Sequence, residues 1–455
     1  MILSKEQINR YLRHIIMPEI KGQGQRKLLE ATISVYSENV TDTMPLVLYL
    51  SAMGIGKIQC HIDDSNGYEL LFSQAMDLNV DLIIELKDGE AISDFRIVIG
   101  SPHFISKTAK YLNNNKFIPT IFSAINGFKF IIKNIVNLQE LNEISGLLSK
   151  RTTQTTEFKF ASAVSGTICT IEAVKQILGI GNNLKDILYF DLFNLVINEY
   201  KLSQAENAME YFYKYEEFDY TGVKEKLKNA KILIVGAGGL GSPSSLALAL
   251  AGVGTIGLVD SDTIEASNLN RQVLHGQSRI GMAKAESAKY ILNKINPKIK
   301  IDAYITQFTK ENAQKLIEEY DMVISAVDNI DTRYLINDMC YFLKKPMIEA
   351  GILRFDGTST TIIPDKGHCY RCLYPNLNTS NMSCSENGVL GALPGVMGFI
   401  QAMETFKIIL GTGTTLRNKI LLFDGLEMEF NIISLERNPE CPMCGKHLEI
   451  KEFYN

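Results

Sequence analysis

The chain has 455 residues, about three times the ~150-residue expectation for one domain, so one small domain is excluded and two large domains or three ordinary ones are expected. With 46% hydrophobic and 21% charged residues, and 12 Pro against 33 Gly, the composition is that of a folded globular chain and not of a disordered, collagen-like or low-complexity one. The 46 Lys and Arg fall short of the 51 Asp and Glu, and a net charge of -5 argues against a surface built to neutralise phosphate backbones, so no nucleic-acid partner is expected.

The chain opens MILSKEQINRYLRHIIMPEIKG, with charges inside its first six positions and no apolar stretch before a small-residue cleavage site. It does not read as a secretory signal, and a cytoplasmic location is expected. The stretch from Lys27 to Val35, leading to Met53-Gly-Ile-Gly-Lys-Ile58, returns as Lys226 to Ile234, leading to Ala251-Gly-Val-Gly-Thr-Ile256, at an offset of about 199. Further on, Ile171 to Gly179 with Phe190-Asp191 returns as Met403 to Gly411 with Phe423-Asp424, at an offset of about 232. The chain is therefore a tandem repeat whose first copy lacks about 33 residues of the second, including the regions of Cys369, Cys372 and Cys384. A seam near Leu202 to Ala208 divides it into residues 1–203 and 204–455. Each copy alternates strands and helices, which predicts an α/β fold of two tandem, Rossmann-like, mostly parallel sheets.

In the second copy Lys231 to Val235 is a β-branched run, followed by Gly236-Ala-Gly-Gly-Leu-Gly241, an Ala/Leu-rich helix through Ala251 and a strand from Thr255 to Asp260. The apolar run from Ser245 to Val259 is interrupted by glycines and too short for a bilayer, so no membrane partner is expected. G-x-G-x-x-G between strand and helix lets backbone amides and a helix N-terminus approach a phosphate, and Asp260 stands where an acid can hold ribose. These two features alone fit a nicotinamide-dependent oxidoreductase equally well. An amphipathic helix around Glu311 to Glu319 and a strand from Met322 to Val327 follow. Where the second copy has its glycine loop, the first reads Tyr36-Ser-Glu-Asn-Val-Thr-Asp-Thr43, with two acids and no glycine, and a phosphate would be repelled there.

Cys369-Tyr-Arg-Cys372 and Cys441-Pro-Met-Cys444 offer four thiolates, the ligand count of a closed tetrahedral zinc site that would tether the C-terminal part and leave no open catalytic position. His368 and His447 are then bystanders. Cys384 stands in a polar stretch without periodicity, which reads as a mobile loop, whereas Cys60, Cys169 and Cys340 fall in apolar periodic segments and read as core.

The glycine loop, Ser267-Asn-Leu-Asn-Arg-Gln272, Gly281-Met-Ala-Lys-Ala-Glu286 and Asp328-Asn-Ile-Asp-Thr-Arg333, in this order, resemble the ThiF/MoeB/HesA family of the ubiquitin-activating-enzyme superfamily over essentially all of the second copy. Members adenylate the terminal carboxylate of a small ubiquitin-like protein ending in Gly-Gly, using ATP and Mg2+. The resemblance implies a nucleotide site of Gly236, Gly238, Gly239, Leu240, Gly241, Asp260, Asp262, Asn268, Arg271, Gln272, Lys284, Asp328 and Asn329. In it Asp260 would hold ribose, Asn268, Arg271 and Lys284 phosphates, and Asp328 magnesium, with Arg333 also essential. Cys384 matches a position from which family members attack the acyl-adenylate. Arg10-Tyr-Leu-Arg13-His-Ile-Ile-Met-Pro-Glu19 resembles the family's opening segment, whose second arginine enters the partner's site in symmetric dimers. The second copy begins Met209-Glu-Tyr-Phe-Tyr-Lys-Tyr-Glu216, without an arginine. An intramolecular pseudo-dimer is therefore expected, with an inactive first half supplying Arg13 to the one site of the second.

The function expected is ATP-dependent adenylation of a ThiS- or MoaD-like sulfur carrier. No rhodanese extension follows Asn455, so a separate sulfur donor is expected. A short ribosomal peptide is the rival substrate, and a regulatory binding protein and a tRNA-modifying adenylyltransferase are further alternatives. Association into a further homodimer is left open.

Overall fold

The computed structural model describes residues 2–89, 92–114, 116–149, 156–214, 217–375 and 388–446. The first sheet contains β1 (Thr32–Asn39), β2 (Lys57–Asp64), β3 (Ile83–Leu86), β4 (Phe95–Gly100), β5 (Thr120–Asn126), β6 (Lys129–Ile135), β7 (Ile187–Asp191) and β8 (Val196–Tyr200). The second contains β9 (Lys231–Val235), β10 (Thr255–Val259), β11 (Lys300–Tyr304), β12 (Met322–Ser325), β13 (Met347–Leu353), β14 (Asp356–Ile362), β15 (Lys419–Asp424) and β16 (Glu429–Ser434). Their orders are β3-β2-β1-β4-β5-β6-β7-β8 and β11-β10-β9-β12-β13-β14-β15-β16, the same topology twice. In each sheet the first five strands in this order are parallel and three antiparallel strands extend the fifth. The order reverses between β9 and β12, where doubly wound sheets open a crevice at the carboxyl ends of their strands.

Helices join the two sheets into one body. Phe160–Leu178 and Leu393–Leu410, the second copy of the same element, pack on each other, and Val40–Met53 and Gly241–Ala251 pack beside them. One continuous cluster of buried side chains runs through both halves. Phe406 sits among Phe128, Phe158, Phe160 and Phe218, and Tyr49 meets the edge of Phe399. The most apolar helix of the described residues is thus Leu393–Leu410, beyond the run from Ser245 to Val259 singled out in the sequence. It is long and apolar enough to cross a bilayer by length and composition, but 89% of it is buried inside the protein. Polar contacts rim the joint: Gln74 Nε2 donates to the carbonyls of Val273 and His275 at 3.0 and 2.9 Å, and Asp77 pairs with Arg279 at 3.1 Å.

One helix that follows the division expected at 203/204 packs on the sheet before it. Helix Ala205–Tyr213 buries Ala205, Ala208, Met209 and Phe212 in the outer cluster of the first sheet, with Ile105, Leu141 and Tyr189. Asn126 Nδ2 donates to the Phe212 carbonyl at 2.7 Å, and Lys129 Nζ to that of Lys214 at 2.9 Å. By its contacts this helix belongs to the first half. The corresponding face of the second sheet is covered by helix Lys310–Glu318 and by the segments bearing Cys369 and Cys441.

Close approach of the halves depends on Gly395, where a Cβ would collide with the Tyr49 ring and with Thr167. We therefore expect Gly395→Val to destabilise the chain by about 1–3 kcal/mol, read as a lower thermal midpoint for both halves together and not for the second alone.

Candidate active site

The crevice at the carboxyl ends of β9 and β12 is a cavity of about 440 Å³. Gly236 turns the chain out of β9 at a φ of +99°, where a side chain would strike the Ala326 carbonyl. A Cβ at Gly241 would collide with the Gly236 carbonyl, so the glycines let helix Gly241–Ala251 start against its own strand and aim its N-terminus at the cavity. Asp260, at the end of β10, ties the loop down: its Oδ2 accepts the Ala237 amide at 2.8 Å and its Oδ1 that of Asp262 at 2.9 Å. Burial pushes the Asp260 carboxyl above its ordinary range.

Four cationic side chains line the cavity, Arg13, Arg271, Lys284 and Arg333, from separate elements. Arg271 Nη1 donates to the Ser267 carbonyl and to Asn270 Oδ1, both at 2.8 Å. Burial, and then the nearby charge of Arg13, lowers its pKa to about 10. Lys284 begins helix Lys284–Ile295, and its Nζ pairs with Asp262 at 2.7 Å. Arg13, from helix Leu12–Ile15 of the first half, lines the same cavity. Asp328 lines the cavity too, and Asn329 caps helix Ile330–Phe342 by accepting the Thr332 amide at 2.8 Å.

Of the residues singled out in the sequence, Arg13, Gly236, Gly238, Gly239, Leu240, Asp260, Asp262, Arg271, Gln272, Lys284, Asp328, Asn329 and Arg333 line this cavity. Gly241 and Asn268 do not. Asn268 is buried, and its Oδ1 accepts the Glu265 amide at 3.0 Å, so it shapes the turn that carries Arg271. Arg333 is committed to its own fold: its guanidinium holds the buried carboxylate of Glu349 and donates from Nη2 to the Val327 carbonyl at 2.8 Å. Cys384 lies outside the described residues, as does His447.

The sequence reasoning missed Ser261, Thr306, Gln307, Phe308, Thr332, Ile352, Gly388 and Val389 in the wall, and His275 behind it. His275 Nε2 donates to the Ala237 carbonyl at 2.9 Å, and its Nδ1 accepts from Ser287 Oγ at 3.1 Å. Its one signal in sequence is a histidine in the apolar run after Arg271. In the first half the matching position is filled internally: Glu38 accepts the Ser101 amide at 2.6 Å and its hydroxyl at 2.8 Å.

The four paired cysteines converge. Sγ of Cys369 lies 3.9 Å from that of Cys372 and 3.5 Å from that of Cys441, and Cys372 lies 3.3 Å from Cys444. Four sulfurs at about 2.3 Å from one zinc are about 3.8 Å apart, so the donor set and spacing fit that ion. His368 stands apart, with its Nε2 on Thr360 Oγ1 at 2.9 Å. Cys60, Cys169 and Cys340 are buried core thiols whose pKa values burial raises.

Two repeated doubly wound sheets with a glycine loop, an acid closing the second strand and convergent cations define a nucleotide-binding α/β protein. A family model described as "ThiF family" matches residues 213–443. The chain belongs to the ThiF family. "Adenylyltransferase and sulfurtransferase MOCS3" of Culex quinquefasciatus is 46% identical over 223 residues, 48% of this chain and 51% of the relative. "Sulfur carrier protein adenylyltransferase" of Thermus thermophilus is 43% identical over 229 residues, 49% of this chain and 84% of the relative. "SAMP-activating enzyme E1" of Haloferax volcanii is 40% identical over 223 residues, 49% of this chain and 82% of the relative. The chain spans about half the length of the MOCS3 relatives it matches.

Two measurements test this description. Cys372→Ser is expected to lower bound zinc from about one ion per chain, by elemental analysis, and to lower the melting temperature, whereas His368→Ala retains the metal. Burial lowers the pKa of His275 to about 3 and of His14 to about 4, so the unfolded chain takes up protons below about pH 6.5 that the folded chain refuses. Stability is therefore full above that pH and falls as pH drops toward 4. In urea titrations at stepped pH, His275→Gln is expected to reduce this slope by about 1.4 kcal/mol per pH unit.

Proposed function

We propose that the chain is an ATP-dependent adenylyltransferase that activates the C-terminal carboxylate of a small ubiquitin-like sulfur-carrier protein. The observation that carries this reading is the convergence of Arg13 from one half with Arg271, Lys284, Asp328 and the glycine loop of the other on one cavity. A carboxylate attacking the α-phosphorus of ATP brings anions together. A carboxylate oxygen forms a bond to phosphorus, the bond from that phosphorus to the bridging oxygen breaks, and pyrophosphate leaves with the electron pair. The barrier is electrostatic, and cations fixed beforehand in a partly buried cavity lower it without reorganising. Hydride transfer to a nicotinamide involves no attack on phosphorus, so its chemical step draws no benefit from Arg13, Arg271 and Lys284 converging on one cavity.

The loop amides and the N-terminus of helix Gly241–Ala251 would hold phosphate oxygens, Asp260 ribose hydroxyls, and Arg271, Lys284 and Arg13 the charge developing during transfer. Asp328 offers a hard oxygen donor suited to magnesium, which supplies neutralisation of the phosphates when bound. Arg333 acts here by holding Glu349 and the end of β12 in place. The names of the relatives support a sulfur carrier as the acceptor, and a separate sulfur donor belongs to the same reading. Cys384 then takes the acyl group: its thiolate displaces AMP and forms a thioester.

ATP–pyrophosphate exchange with the purified chain tests the first step. Exchange is expected with one Gly-Gly-ending carrier, and to fall by about 100-fold or more in Asp328→Ala and in Arg13→Ala, with the melting temperature kept. Cys384→Ala retains exchange, because the thiolate acts after the adenylate has formed. Exchange with short peptides alone would replace the carrier by a peptide substrate. No exchange with any carboxylate, in a chain that binds ATP, would overturn the proposal.

A further inference from the structure

The opening segment of the chain also holds part of the cavity wall. Gly388 and Val389 line the cavity beside Arg13, and the chain runs on through Leu390 and Gly391 into helix Leu393–Leu410. The Val389 amide donates to the Arg13 carbonyl at 3.3 Å, the Leu390 amide to the Arg354 carbonyl at 3.0 Å, and the Gly391 amide to His14 Nε2 at 3.0 Å. Two of these three acceptors lie on one short helix of the first half, next to the arginine that enters the cavity.

His14 is fully buried and can make this contact in one state only. A backbone amide donates and never accepts, so Nε2 must present its lone pair and Nδ1 must carry the proton. Nδ1 stands 2.9 Å from Gln25 Oε1 and donates to it, and Gln25 Nε2 donates to the Met53 carbonyl at 3.0 Å. The relay therefore runs from Gly391 through His14 and Gln25 to the end of helix Val40–Met53. Gly391 has no slack, since a Cβ there would collide with the Asn270 carbonyl and with the imidazole.

We propose that His14 is a positioning residue for the adenylation site: through Gly391 it fixes the wall formed by Gly388 and Val389, against which the acceptor carboxylate is aligned beside Arg13. The inference rests on the adenylation reading above, but one of its tests does not. A wall that drifts by about an ångström misaligns the attack, which costs turnover far more than it costs nucleotide binding. His14→Ala is expected to lower kcat for pyrophosphate exchange by about tenfold or more, with the KM for ATP within about twofold. His14→Gln, whose Oε1 places an acceptor where Nε2 stood, is expected to restore most of the loss. Gln25→Leu, which removes the group that fixes the tautomer, is expected to fall between them.

Hydrogen exchange on the full chain without nucleotide gives the independent readout. The Val389 and Gly391 amides are expected to exchange about tenfold faster in His14→Ala, while His14→Gln keeps them protected. Unchanged exchange at both amides, or a kcat that His14→Ala leaves at the wild-type value, would overturn the proposal. A wild-type chain that activates no carboxylate, with both amides responding as expected, would sink the adenylation reading and leave the clamp standing.

Discussion

Two helices that are buried on nearly every side, Phe160–Leu178 and Leu393–Leu410, constrain everything else in the molecule. A helix with one apolar stripe can cover a sheet and face water, but one without a polar, exposed face must be enclosed. Each of these lies against its own half and finds the rest of its enclosure in the other, so the two sheets share one core. Arg13 reaches the cavity, and His14 the Gly391 amide, from the first half because that core fixes where the two halves meet.

The constraint is reinforced by charge. Glu172 and Lys175 pair at 2.8 Å inside the first of these helices, and Glu404 and Lys407 pair at 2.5 Å at the same place in the second, all four buried. Burying such pairs is costly unless the remaining lone pairs and protons are used. Glu172 also accepts the Leu184 amide at 3.0 Å, and Glu404 that of Leu416 at 2.7 Å, so each pair gathers the chain that follows its helix. Lys407 goes further and donates to the Leu192 carbonyl of the first half at 3.1 Å. A buried charge thus fixes the register between halves where apolar packing alone tolerates sliding.

Much of this was legible in the sequence because the signals were local or repeated. The glycine loop, the strand ending at Asp260, the Cys-x-x-Cys pairs and the repeat all depend on residues close in the chain or on comparison of the chain with itself. Arg13 was legible only by resemblance, since nothing near it in sequence says that its partner lies more than two hundred residues away. The hydrogen bonds that Arg333 and Asn268 make within their own fold are hidden in the sequence for a related reason: a motif says which residues travel together, not which neighbours they hold. His275 and His14 were passed over because a histidine in an apolar run looks the same whether it fills space or carries a hydrogen bond. Helix Ala205–Tyr213 follows the seam of the repeat but packs on the sheet before it, a contact between distant residues that no local pattern announces.

The asymmetry of the halves has a chemical basis in how each satisfies its helix ends. In the second half the loop amides and the N-terminus of helix Gly241–Ala251 border the cavity, open to an anion brought from outside. In the first half Asn39 caps helix Val40–Met53, accepting the Asp42 amide at 2.9 Å, and Ser101 caps helix Pro102–Leu112, accepting that of Phe104 at 3.2 Å. Glu38 supplies the negative charge that a phosphate would otherwise bring. An anion entering there would have to break these caps and meet a carboxylate, whereas the cavity of the second half is lined by Arg13, Arg271, Lys284 and Arg333. The first half has in effect closed its crevice with its own side chains, whereas the second leaves its loop amides bordering an open cavity.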